Sequence, residues 1–118
     1  MDHKTKGLNL AKSSHQKQMI ANLVKGLIKE GKIDTTVAKA KETSRFADRM
    51  VTLAKKGDEP ARRRAFKFLN DKEAVKKLFD SMGQKYEERQ GGYTRVLRLP
   101  PRKGDGAEMA RLTFVENE

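Results

Sequence analysis

The hydrophobic pattern of this chain changes period once, at Gly91-Gly92, and that switch limits the folds open to it. Upstream of the glycines, apolar residues recur at the spacing of an α-helix. Downstream, they alternate as in a half-buried strand. Neither part can bury its apolar side alone: an isolated hairpin is marginal in water, and an amphipathic helix needs a surface to cover. The expectation is an α+β two-layer domain, about four helices packed on a small three-stranded sheet.

The first helical stripe is the clearest. Met19, Ile20, Leu23, Val24, Leu27 and Ile28 fall on one face. Ser13 and Ser14 are good N-cap residues before it, and Gly31 stands where a helix ends. Lys32 to Thr35 reads as a short extended piece, and Thr35 or Thr36 can cap a second helix that stops at Gly57. The early face of that helix is poor in large apolar groups, so its first two turns are expected to be partly open to solvent or RNA. Pro60, after Asp58 and Glu59, suits the first turn of a third helix, with Ala61, Ala65, Phe68 and Leu69 inward. Asn70-x-x-Glu73 resembles a capping box for a fourth, whose core stripe is Val75, Leu78, Phe79 and Met82 and whose end is Gly83. One more helical turn is expected over 84–90. Tyr93–Leu99 and Glu108–Val115 then form an antiparallel hairpin, joined through Pro100-Pro101 and the turn-rich Arg102–Gly106, with 32–35 as an added edge.

Charge narrows the partner. The 118 residues carry 27 Lys and Arg against 16 Asp and Glu, a net +11. A body this small repels itself unless a polyanion quenches it. A membrane is the weakest polyanion to invoke, because no segment approaches the roughly 18 apolar residues of a span. The polar opening stretch, with Asp2 and no arginine before Met19, resembles neither a secretory signal nor a mitochondrial presequence. Residues 1–32 hold seven lysines and two acids and show no regular period before Ser13. Residues 1–12 are therefore expected to form an extended basic arm that orders on binding, ahead of one globular domain over 13–118.

Catalysis finds little support. There is no cysteine, and His3 and His15 have no carboxylate neighbours at metal-ligand spacing. No nucleophile–base–orienter set is visible, so no enzyme activity, metal, cofactor or small-molecule substrate is expected. Gly104-Asp105-Gly106 lacks the strand-to-helix context of a nucleotide-binding loop. The basic strings suit phosphate better. Arg62, Arg63 and Arg64 span about 200° of a helix and cannot all face inward. Guanidinium groups bind phosphate in a bidentate manner. In Gly91-Gly92-Tyr93-Thr94-Arg95, Tyr93 can stack on a base while Arg95 clamps a phosphate, or Tyr93 can be a core residue after a plain turn. Arg102 and Lys103 make a basic loop opposed by Asp105. A DNA-binding reading would need an exposed recognition helix, and the first helix has its stripe committed to a core.

Taken in order, several strings resemble the bacterial-type large-ribosomal-subunit protein family numbered seventeen. They are Ser13-Ser14-His15, Ile33-x-Thr35-Thr36-x-x-Lys39-Ala40-Lys41-Glu42, Val51-Thr52-x-Ala54-Lys55, Arg63-Arg64-Ala65, Leu78-Phe79, Gly91-Gly92-Tyr93-Thr94-Arg95 and Gly104-Asp105-x-Ala107-x-Met109-Ala110. At Asp2, Ala11 and Gln16 the chain departs from arginines common in that family. The resemblance implies an α+β two-layer fold, several helices over a small mixed three-stranded sheet that pairs residues near 32–35 with the C-terminal hairpin. It also implies a structural constituent of the large subunit that binds folded large-subunit rRNA near the peptide exit region, beside the large-subunit proteins numbered twenty-two and thirty-two. The expected location is a cytoplasmic ribosome, with an organelle ribosome left open. The RNA-contacting residues expected are Lys4, Lys6, Lys12, Ser14, His15, Lys17, Lys39, Arg62, Arg63, Arg64, Tyr93, Arg95, Arg98, Arg102 and Lys103.

Overall fold

The computed structural model describes residues 14–116. The proposed arm, with Lys4, Lys6 and Lys12, lies outside them. Helix α1 spans Ser14–Glu30 and strand β1 Lys32–Thr36; helix α2 spans Val37–Lys56 and α3 Glu59–Leu69. Helix α4 (Lys72–Lys77) runs on through a π-helical turn (Leu78–Met82) into the short α5 (Gly83–Lys85). Strands β2 (Thr94–Leu99) and β3 (Met109–Phe114) close the chain.

Local chemistry explains most of these boundaries. Gly31 and Gly57 take positive φ just past α1 and α2, as helix-ending glycines do. Thr36 Oγ1 accepts from Lys39 N at 3.3 Å, so one residue ends β1 and caps α2. Asp58 caps α3, accepting from Ala61 N at 3.0 Å, with Pro60 in the first turn. The next cap is Asp71, not Asn70: Asp71 Oδ1 accepts from Ala74 N at 3.0 Å. Asn70 instead ends α3 in the left-handed region at φ 52°, a conformation asparagine tolerates better than most residues. Gly83 does not end its helix. Its φ is −60°, and the chain passes through it into α5.

The sheet order is β1-β3-β2, and both pairings are antiparallel. The mixed sheet that the resemblance implies is therefore corrected to a fully antiparallel one. β1 and β2 run the same way but are separated by β3, so no parallel pair forms. The inner face carries Ile33, Val96, Ala110, Leu112 and Phe114, which join Val24, Leu27 and Ile28 of α1 and Ala40, Ala47 and Val51 of α2 in the core. Burial of that apolar surface is the main term holding the two layers together. On the first stripe Ile20, Val24, Leu27 and Ile28 are fully buried, while Met19 and Leu23 stay half-open. Early in α2, Val37, Ala40 and Thr43 are buried, whereas Ala38, Lys39 and Lys41 are exposed.

Candidate nucleic-acid interface

The residues that could meet an anion fall into groups that the fold separates. Ser14, His15 and Lys17 stand exposed on the first turns of α1. Lys17 lies across a cleft from Arg64 and Lys67 of α3, with Gln18, Ala21 and Phe68 in the same lining. None of these three cations has an acidic partner among the described residues. Arg64 and Lys67 also line a second, larger groove between α3 and α4, together with Arg62, Arg63, Lys72 and Lys76. The two clefts thus share a wall. They form one cationic band from α1 to α4; among the described residues that line it Glu59 is the only acid, and Lys76 at its far end is paired to Asp80 at 2.8 Å.

Sequence spacing accounts for the α3 part of this band. Arg64 and Lys67 are three residues apart and so neighbours on the helix surface. Ala61, Ala65 and Leu69 hold the opposite side in the core. Arg62 is tied down over the Phe79 ring at 5.2 Å, and Arg63 faces Glu59 at 3.8 Å. The triplet therefore presents three different environments, with Arg64 the least engaged.

Other expected contacts are less open. Arg102 is held by Asp105 in a two-pronged pair of 3.2 and 2.9 Å. Hydrogen bonding from Arg102 and from the Ala107 backbone draws the Asp105 carboxyl down to about 2. Arg98 reaches Glu108 at 3.4 Å. Lys103 and Lys39 are exposed without acidic partners among the described residues. Arg95 is exposed on the outer face of the sheet, in line with Thr113, beside the Arg111–Asp34 pair at 2.7 and 2.9 Å.

Tyr93 is a correction. It is 3% exposed and belongs to the core, tilted against Tyr86 at 5.4 Å. Lys55 Nζ donates to its hydroxyl at 2.9 Å and also to the Arg89 carbonyl. Burial pushes the Tyr93 phenol up, but the hydrogen bond from Lys55 and one from the Gly91 backbone outweigh that and hold it below the usual tyrosine value. With its ring enclosed, Tyr93 is not a stacking platform, and it does not share a face with Arg95. Three cations of the band, Lys67, Lys72 and Lys76, were not singled out by the sequence reading. The i, i+3 relation of Arg64 and Lys67 is the signal that could have found the first of them.

Among the described residues, no group of three His, Cys, Asp or Glu could hold a metal ion, and no helix is long and apolar enough to cross a membrane. The geometry describes a small basic α+β protein with a band of exposed cations along its helical layer and further exposed cations at Lys39, Arg95 and Lys103. Residues 19–115 match the family model described as ribosomal protein L17, and the chain belongs to that family. It is 52% identical over 101 residues to "Large ribosomal subunit protein bL17" of Natranaerobius thermophilus, covering 86% of this chain and 89% of the relative. The bL17 of Clostridium acetobutylicum is 50% identical over 103 residues (87% and 90% covered), and that of Finegoldia magna 50% over 105 (89% and 80%).

Proposed function

We propose that this protein is a structural constituent of the large ribosomal subunit and works by binding folded large-subunit rRNA. The observation that carries the reading is the acid-poor band linking Lys17, Arg64, Lys67 and Lys72, on a chain whose relatives are named as large-subunit proteins. A phosphate backbone neutralised at several points releases its counterions, which gives tight, salt-sensitive binding without any catalytic chemistry. Ser14, His15 and Lys17 start the surface, Arg62, Arg63 and Arg64 continue it, and Lys39, Arg95, Arg98, Arg102 and Lys103 are secondary contacts. Lys4, Lys6 and Lys12 belong to a basic arm over 1–12 that orders on the RNA, leading into the single domain over 13–118. The place of action is near the peptide exit region of a cytoplasmic ribosome, beside the large-subunit proteins numbered twenty-two and thirty-two. The test is co-sedimentation with large subunits after a high-salt wash. Retention in the large-subunit peak is expected, and release into the free-protein fraction at modest salt contradicts the reading.

A further inference from the structure

The groove between α3 and α4 is apolar in its middle and cationic at its rim. Pro60, Phe66 and Val75 supply the apolar part, and Lys67 and Lys72 stand at the edge. Phe66 is 40% exposed, one of two large apolar side chains left so open among the described residues. The reason is helical geometry. Phe68 lies about 200° further round α3 and stacks on Phe46 at 5.5 Å with rings 6° apart, so burying it turns Phe66 outward. Asn70 closes the end of the groove; its backbone N–H donates to the Phe66 carbonyl at 2.6 Å, and its exposed amide offers both a donor and an acceptor.

We infer that this groove receives one unpaired base of the RNA, stacked on Phe66, with its flanking phosphates on Lys67 and Lys72 and its edge read by Asn70. The inference rests on the RNA-binding reading. An aromatic side chain among cations suits an unstacked nucleotide, because a base has an open face only where it has left its helix. An acidic amphipathic peptide is the other occupant such a groove could take. Continuity favours RNA: Arg64 and Lys67 line both this groove and the cleft with Lys17, so one backbone can follow both.

The test uses the full chain and two RNA hairpins, alike except that one carries a single bulged 2-aminopurine, with a large-subunit rRNA fragment as reference. Wild type is expected to prefer the bulged hairpin on the order of tenfold and to quench its fluorescence on binding. Phe66→Ala should remove the preference and the quenching while its salt slope on the rRNA fragment stays as in wild type; Phe66→Tyr should keep both. Phe66 is exposed, so the variant's fold can be verified by circular dichroism. Equal binding of the two hairpins by wild type overturns the inference, as does a preference that survives in Phe66→Ala, and in either case rRNA binding itself stands. An acidic amphipathic peptide that binds wild type but not Phe66→Ala, with no bulge preference, also overturns it. Failure of wild type to bind the rRNA fragment sinks the RNA reading as a whole.

Discussion

Gly83 packs its bare Cα against the backbone of Ala54: a Cβ at position 83 would stand 2.6 Å from the Ala54 carbonyl oxygen and 2.9 Å from its carbon. The obstacle is main chain in the last turn of α2, so it cannot swing aside. Gly83→Ala is expected to cost about 1–3 kcal/mol or more by overpacking, measured by urea unfolding. Gly31 offers a contrast, since a Cβ there meets nothing within 4 Å and only its φ of 87° resists substitution. A Gly83→Ala variant as stable as wild type would mean that the crossing of α2 and the last helix is looser than described.

That glycine also shows where the sequence could be read and where it could not. The stripe of α1, its stop at Gly31, the Thr36 cap and the hairpin were legible because each rests on a local rule: helical spacing, positive φ at glycine, a hydroxyl before a helix, alternation in a strand. A glycine after an apolar stripe looks like a helix stop, and only the proximity of Ala54, 29 positions earlier in the chain, makes Gly83 a contact residue instead. Asn70 and Asp71 can each cap a helix, and the choice was set by how α3 had to end. Tyr93 precedes β2, so the alternation that places Val96 inward and Arg95 outward does not reach it. The cationic band was half legible. The arginine triplet was visible, but its continuity with Lys17 depends on α1 lying beside α3.

Tyr93→Phe is expected to separate the core role from the RNA role. It removes the 2.9 Å hydrogen bond from Lys55 and leaves that ammonium with the Arg89 carbonyl. The loss should be about 1 kcal/mol of stability, with affinity for rRNA unchanged. A clear loss of affinity with unaltered stability would put the ring back on the RNA surface.

Acid should weaken the fold through its paired carboxylates. Hydrogen bonds from Arg111, Lys29 and Lys76 hold Asp34, Asp71 and Asp80 below the usual aspartate value, and Asp105 is drawn down to about 2. Groups depressed in the fold stabilise it above their unfolded value of 3.8 and lose that contribution as pH falls through the folded value. Stability measured by urea unfolding should be flat above about pH 5 and fall between about pH 4 and pH 2. A protein equally stable at both ends of that window would contradict these pairings.

Asp48 has the opposite sign. Burial raises its carboxyl even though Thr94 Oγ1 donates to it at 3.2 Å. Its ionised form is thus disfavoured in the fold, a cost that appears as pH rises through the raised value and is absent below 3.8. Asp48→Asn, which keeps an acceptor for Thr94, should be more stable than wild type at neutral pH and no different near pH 3 in the same urea assay. An asparagine variant that is less stable at neutral pH would show that the charge is welcome there.

The central claim, that the open cations of α1 and α3 quench rRNA phosphates, meets its most direct test in the salt dependence of binding. Lys17, Arg64 and Lys67 changed together to Gln should flatten the slope of log affinity against log salt by about 2, roughly 0.7–0.9 for each phosphate released. Arg102 and Arg111, already engaged by Asp105 and Asp34, should move it little when changed to Gln. An unchanged slope in the triple variant, or an equal flattening in the Arg102/Arg111 pair, would contradict the account.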